Sequence, residues 1–389
     1  MSILYFVNWN CEIYPLKILI LPDSFKGSLS ASAVCEVMEK EVRQFFPNSE
    51  VISIPFSDGG EGALEVLENH VAGKRVYCST FDAIHRTVEA PFFLFKEHPS
   101  AWVELSQTAG LAQLSTAERS PLKTSTYGTG VMIKAALDKG CTTLYLGIGG
   151  SATHDLGFGL LQALGVGFFD QHGKEIKITG GTLHHIHSIV MDTLDSRAKK
   201  AQWIVACDVQ NPLLGESGAA FVYARQKGAS ATEINQLEKA GQHVAQILLS
   251  QYQKNIKNTL GGGASGGVSA GLHGLLNAQL TPGFELLSEA IQLDNHIHSS
   301  DLILTGEGQF DFQSQFGKLP IQVAKKALKQ KTPVLLFTGK SEMEAVPELP
   351  HLSVFTITPK GTTKDKAMRE ARHFLSLKLA EVLPNYKSL

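Results

Sequence analysis

The amino-acid sequence predicts an α/β protein with two domains, a Rossmann-like three-layer domain and a mixed α/β domain inserted in it. Three observations carry this. Short apolar runs, Leu16–Leu21 (LKILIL), Thr143–Leu146 and Trp203–Cys207, have the profile of parallel strands buried on both faces. Each run empties into a loop that combines glycine with acid. The strand–loop–helix rhythm of the opening returns at the end of the chain, and 389 residues are more than one core ordinarily organises.

Residues 1–15 lack a basic region followed by a signal-peptide core, and read as an appended extension. Leu16–Leu21 is the first strand. It ends in Pro22-Asp23-Ser24-Phe25-Lys26-Gly27-Ser28, and a helix follows from about Ser30 to Phe45. Val51–Pro55 is the second strand, leading through Ser57-Asp58-Gly59-Gly60-Glu61-Gly62 to a helix containing Ala63, Leu64, Val66 and Leu67. From about Val76 the rhythm changes: Arg86–Phe95 and Ala101–Leu105 read as longer antiparallel strands with no helix between them. A helix covers Thr129–Lys139.

The stretch that organises the rest is Thr142–Gly165, TTLYLGIGGSATHDLGFGLLQALG. Its strand empties into Gly147-Ile148-Gly149-Gly150, where missing Cβ atoms permit a tight turn and close approach of a ligand. Ser151 is expected to cap a helix running from Ala152, with Leu156, Leu160, Leu161 and Leu164 on its buried face and Gly165 just past its end. A strand, a glycine turn and a helix start in succession offer free N–H groups to an anion.

Trp203–Cys207 ends in Asp208-Val209-Gln210-Asn211 and continues to Gly215. Residues 233–257 read as an amphipathic helix, and the run Gly261–Gly267 as a flexible or ligand-hugging loop. Leu302–Leu304 is a strand followed by a loop, Thr305–Asp311; a helix starts after Pro320. Val334–Phe337 and Val354–Ile357 are further strands, and a helix closes the chain near Leu383. Residues 16–73 and 291–389 are assigned to the Rossmann-like domain, and 74–290 to the insertion.

Hydrophobic residues make up 43% and charged residues 19% of the chain, as in ordinary soluble proteins. A formal net charge of -2 without a dense Lys/Arg block argues against nucleic acid or anionic membrane as a partner. Five scattered cysteines without a C-x-x-C pair fit reduced thiols, hence a cytoplasmic location, better than disulfides or a zinc site. No apolar run is long enough to span a bilayer.

Acids recur after strands: Asp23, Asp58 and Glu61, Asp155, Asp208, and Glu307 with Asp311. Such loops suit a hydroxyl substrate or bound Mg²⁺, which takes a few carboxylates together with phosphate oxygens and water. Glycine turns supply N–H donors for phosphates, and Lys26, Lys227 or Lys318 can offset transferring charge. The combination points to phosphoryl transfer without a Walker A loop, since Val334 stands where the first glycine before Gly339-Lys340-Ser341 is required. The competing class is an NAD-dependent dehydrogenase of a small hydroxy acid. It would use Gly147-x-Gly149-x-x-Ala152, with Val166–Phe169 as the next strand and Asp170 on the ribose. A non-catalytic sugar or nucleotide sensor is a third class. His184, His185 and His187 invite a metal reading, with His185 and His187 on one strand face, but a solvated loop fits them better.

In this order the motifs resemble the type-1 glycerate kinase family. The matching segments are PDSFKGSLSA (Pro22–Ala31), SDGGEGA (Ser57–Ala63), GIGGSATHDLGFGLLQALG, ACDVQNPLLGESGAA (Ala206–Ala220), QKGA (Gln226–Ala229), GGGASGG and TGEGQFDFQSQFGK (Thr305–Lys318). The departures are His154 and Leu156, where the family has Asn and Gly, and Phe312, where a smaller residue is usual. The resemblance implies ATP-dependent phosphorylation of D-glycerate, with 2-phosphoglycerate favoured over 3-phosphoglycerate as product.

For that reaction Asp58 or Asp155 is the expected base, and Asp208, Glu307 and Asp311 are expected near Mg²⁺ or phosphate. Lys26 is expected to act on the transferring group. Asp23, Ser24, Gly59, Gly60, Glu61, Gly149, Gly150, Ser151, Asn211, Gly306 and Lys318 are the expected binding positions for substrate and phosphate. The partners are D-glycerate and ATP, with a homodimer as the candidate assembly.

Overall fold

The computed structural model describes residues 15–25, 27–57, 62–310, 318–342, 346 and 348–387. Its strands, in chain order, are β1 (Lys17–Ile20), β2 (Glu50–Ser53), β3 (Gly73–Phe81), β4 (Thr87–Phe95), β5 (Ser100–Glu104), β6 (Thr143–Gly147), β7 (Gly167–Phe169), β8 (Ser188–Val190), β9 (Gln202–Ala206), β10 (Gln279–Thr281), β11 (Leu302–Phe310), β12 (Val334–Ser341) and β13 (Leu352–Thr356). The protein is α/β, with parallel and mixed sheets interleaved with helices, the class that the apolar runs and their helical followers predict.

The chain divides into two compact units, one made of the residues up to Pro55 and from Asp294 onward, the other of Phe56–Leu293. The first holds a five-stranded, wholly parallel sheet ordered β13-β12-β11-β1-β2. Ile18 and Ile20 join one hydrophobic cluster with Val34, Met38, Leu375 and Leu379 from helices Ala31–Phe45 and Ala371–Val382. Leu19, between them, points to the other face and is also fully buried, which makes this unit three-layered. Ser30 caps the first helix, its side chain accepting the Ala33 N–H at 3.2 Å.

The second unit is built on a mixed sheet ordered β10-β9-β6-β5-β4-β3. β3, β4 and β5 are antiparallel neighbours, while β5, β6, β9 and β10 run parallel. The sequence reading drew the first boundary at residues 73/74, whereas contacts place it at 55/56. Helix Ala63–His70 packs on β3, β4 and β5, and Glu104 at the end of β5 accepts the Leu64 N–H at 2.7 Å.

Two local expectations are corrected here. Thr305–Phe310 is not a loop but the second half of β11, held in register with β12 as far as Phe310 opposite Ser341. No helix starts at Ala152. Residues 152–157 form an irregular segment, and the helix is Phe158–Ala163, preceded by the left-handed Gly157 (φ 71°). Leu156 (φ 56°) and Gly150 (φ 70°) are left-handed too, conformations that an α-helix cannot contain.

Candidate active site

In the five-stranded sheet the chain leaves β1 for β2 on one side, and returns at β11 on the other. That reversal opens a crevice outside the carboxyl ends of β1 and β11, the place where open parallel sheets bind ligands. Asp23 and Ser24 leave β1 there, and Gly306 and Glu307 lie on β11 beside them. The Asp23 N–H bonds the Gly306 carbonyl at 2.8 Å, and Thr305 Oγ1 donates to the Leu21 carbonyl at 2.7 Å. A Cβ on Gly306 would come within 3.1 Å of the Phe25 ring and 3.2 Å of the Phe337 carbonyl oxygen, so the close approach of the strands depends on glycine. Asp23 Oδ1 accepts the N–H of Ser24 at 2.5 Å, fixing the turn. Glu307 is 5% exposed and faces the exposed Lys318 ammonium at 3.4 Å, while Lys318 also donates to the Gln309 carbonyl. Five of the expected residues, Asp23, Ser24, Gly306, Glu307 and Lys318, therefore gather at the carboxyl ends of β1 and β11. Lys26, Asp58, Gly59, Gly60, Glu61 and Asp311 lie outside the described residues.

In the second unit, β5, β6 and β9 deliver their carboxyl ends to one edge. Gly149, half-buried, and Gly150, exposed, form the turn after β6. Among the described residues no acceptor takes the N–H of Gly149, Gly150 or Ser151. Successive N–H groups around a left-handed residue form a concave nest suited to an anion. Ser151 Oγ accepts from the buried Lys227 Nζ at 2.7 Å, and the same ammonium donates to the Thr153 carbonyl at 2.7 Å. The backbone at Gly149–Ser151 thus has the shape of a nest, without the helix start from which an anion position is argued in the sequence.

Asp155, one of the two expected bases, is enclosed by the fold. It is wholly buried, and its carboxylate accepts the Thr126 N–H at 2.7 Å, Thr126 Oγ1 at 2.9 Å and the Gly157 N–H at 3.2 Å. Burial raises its pKa, against the opposing effect of these bonds. It ties the irregular segment to the helix Tyr127–Asp138. Asn211 is likewise engaged, donating to the Ser217 carbonyl and accepting from Tyr223 Oη. Asp208 is exposed at the end of β9, and one oxygen accepts the Gly283 N–H at 2.9 Å.

Glu104 was missed by sequence reasoning. It is fully buried at the end of β5 and accepts from Leu64 N–H and Gln107 Nε2. Its signal was a strand ending in acid, of the kind noted elsewhere, but without glycine beside it. Lys227, read as one of three lysines for transferring charge, was unplaced because no spacing in sequence links it to Ser151.

The dinucleotide reading is overturned. β7 does not extend the parallel sheet beside β6; it pairs antiparallel with β8 in a separate two-stranded sheet. Asp170 accepts the His172 and Lys174 N–H groups of its own turn. His185 ends a 3₁₀ segment, Gly180–His185, and His187 precedes β8, so the two do not alternate on a strand. Among the described residues no group of three or more potential ligands is placed to hold a metal ion. Nor is any described helix long and apolar enough to cross a membrane.

The glycerate kinase family model matches residues 18–386, and so takes in both sheet edges. The chain belongs to the glycerate kinase family. A glycerate 2-kinase of Escherichia coli is 38% identical over 358 residues, covering 92% of this chain and 94% of that protein. A glycerate kinase of Bacillus cereus is 37% identical over 374 residues, covering 96% and 98%. A crystal structure described as a glycerate kinase 2 from Salmonella typhimurium LT2 aligns with a TM-score of 0.80 at 35% identity, over 96% of this chain and 99% of that one. Membership of this kinase family implies phosphoryl transfer to an alcohol group with ATP as donor.

Proposed function

We propose that the protein phosphorylates D-glycerate with Mg-ATP and forms 2-phosphoglycerate. The observation that carries this reading is the 38% identity to a glycerate 2-kinase along nearly the full length of both chains. The switch-point crevice and the N–H nest fit it chemically. One concentrates acid and a lysine, and the other offers backbone donors to an anion.

Magnesium suits carboxylate donors and keeps part of its water, so one or two acids are enough when phosphate oxygens complete its shell. Glu307, with Asp311 as the other expected carboxylate of the same unit, would hold the ion, which would offset charge on the phosphoryl group. Lys318, tethered at Glu307, adds positive charge at the same crevice. The Gly149–Ser151 donors orient an anionic oxygen of a substrate. With Asp155 sequestered, the proton of the attacking hydroxyl is assigned to Asp58. The two compact units are proposed to be a Rossmann-like domain and the domain inserted in it.

The test is direct. Purified protein with Mg-ATP should release ADP only when D-glycerate is present, and phosphorus NMR should show the 2-phosphate. ADP release that ignores glycerate would overturn the reading, and a 3-phosphate would overturn its regiochemistry.

A further inference from the structure

Lys227 is 2% exposed, and no carboxylate among the described residues lies within ion-pair distance of it. Asp155 attracts it only from farther off, and burial pushes the ammonium down to about 7. A buried cation without a close counter-charge is costly to the fold. The same segment carries further unmet polarity: Thr153 Oγ1 and His154 Nδ1, on wholly buried side chains, have no hydrogen-bond partner among the described residues.

In the Lys227–Ser151 contact Lys227 Nζ donates and Ser151 Oγ accepts at 2.7 Å, the polarity that the charged form of the lysine enforces. Its own hydroxyl proton is turned away from Lys227, and no described residue accepts it. That proton adds a fourth donor to the N–H groups of Gly149, Gly150 and Ser151, at a turn where Gly150 is exposed.

We propose that Ser151 and Lys227 form an anion subsite, in which the Ser151 hydroxyl donates to an anionic ligand oxygen seated on the Gly149–Ser151 nest, and Lys227 supplies the counter-charge. Ser151 touches the ligand. Lys227 is a positioning residue, which acts through Ser151 and through its bond to the Thr153 carbonyl. The subsite rests on the glycerate kinase reading for the identity of the anion, a carboxylate oxygen of glycerate or a phosphate oxygen of ATP.

Calorimetric titration of D-glycerate and of ATP, separately, into the parent, Ser151→Ala, Lys227→Met and the double variant tests this without depending on turnover. Loss of one charge-assisted hydrogen bond weakens one ligand about tenfold or more. Ser151→Ala should do this to one ligand and leave the other within about twofold of the parent. The same ligand should weaken in Lys227→Met, and the double variant should be no worse than Lys227→Met alone. Weakened glycerate assigns the oxygen to the carboxylate, and weakened ATP assigns it to a phosphate. Unchanged binding of both ligands in Ser151→Ala overturns the subsite, and so does equal weakening of both, which signals a distorted turn. If Lys227→Met does not fold, Ser151→Ala decides alone. A parent that binds ATP but never turns over glycerate defeats the proposed function, and leaves the ATP titration to judge the subsite.

Discussion

The Glu104 carboxylate holds the Leu64 N–H at 2.7 Å across forty residues of sequence. The bond joins the end of β5 to the first turn of helix Ala63–His70, the helix into which the Ser57–Gly62 motif runs. A helix start leaves its first N–H groups without intrahelical partners, and a buried acid is a strong acceptor for one of them. Glu104→Ala removes the acceptor and strands the Leu64 donor, at a cost of about 1–3 kcal/mol. Urea unfolding should show that loss, together with a raised KM. Unchanged stability would mean that the helix start is held by other groups.

Two acids that look alike in sequence should behave differently. Asp155→Asn places an amide NH2 against either the Thr126 donors or the Gly157 N–H and should cost about 1–3 kcal/mol, with kcat per folded molecule close to the parent's. Glu307→Gln should lower kcat about 100-fold or more, because on the proposed reading it takes a charged ligand from the ion that offsets charge on the phosphoryl group. Both are read by steady-state kinetics well below the melting temperature. A Glu307→Gln variant with parental kcat would remove Glu307 from the chemistry.

His154 gives the protein an acid-sensitive component. Burial, aided by the nearby Lys227 charge, pushes its imidazole from the ordinary 6.5 down to about 3. Between those values the unfolded chain holds a proton that the folded one refuses, so stability falls as pH drops through the window. The slope is at most about 1.4 kcal/mol per pH unit. His154→Asn should lose less stability than the parent between pH 7 and pH 4.5, as measured by urea midpoints. Parallel curves for the two proteins would exclude His154 as the origin.

At Leu156 two effects oppose each other. Its φ of 56° costs an L-residue about 1–2 kcal/mol, whereas its fully buried side chain contributes packing of about 3 kcal/mol. Leu156→Gly should therefore destabilise, since packing outweighs relief of strain. Leu156→Ala loses similar packing and keeps the strain, so the glycine variant should be no less stable than the alanine variant, the reverse of the usual order inside a helix. Calorimetric melting of the pair checks it.

Strands such as β1 and β9 were legible because each is a continuous apolar run buried on both faces, as at Ile18–Ile20 and Trp203–Ala206. So were the glycine turn after β6 and the acids beside β1 and β11. The helix proposed from Ala152 was misread because Leu156 fits helical spacing. The leucine is buried from an irregular segment instead, held there by the bonds of Asp155 to Thr126 and Gly157. Thr305–Phe310 looked like a loop because its glycines and acid are poor strand formers alone, and pairing with β12 overrides that preference. Lys227 meeting Ser151, and Glu104 meeting Leu64, are long-range contacts, and no local period encodes them.

The pairing of β1 with β11 sets an order of events during synthesis. Ile18 lies opposite Leu302, and the Lys17 N–H is bonded to the Asp301 carboxylate 284 residues later. When β1 and β2 leave the ribosome, their central neighbour has not been made, and a two-stranded fragment buries too little to persist. Phe56–Leu293 is one continuous stretch and can collapse while the opening strands wait. A chain that stops before residue 302 would carry the finished Phe56–Leu293 unit and, from its first residues, an open strand edge, a template for aggregation rather than a partial enzyme.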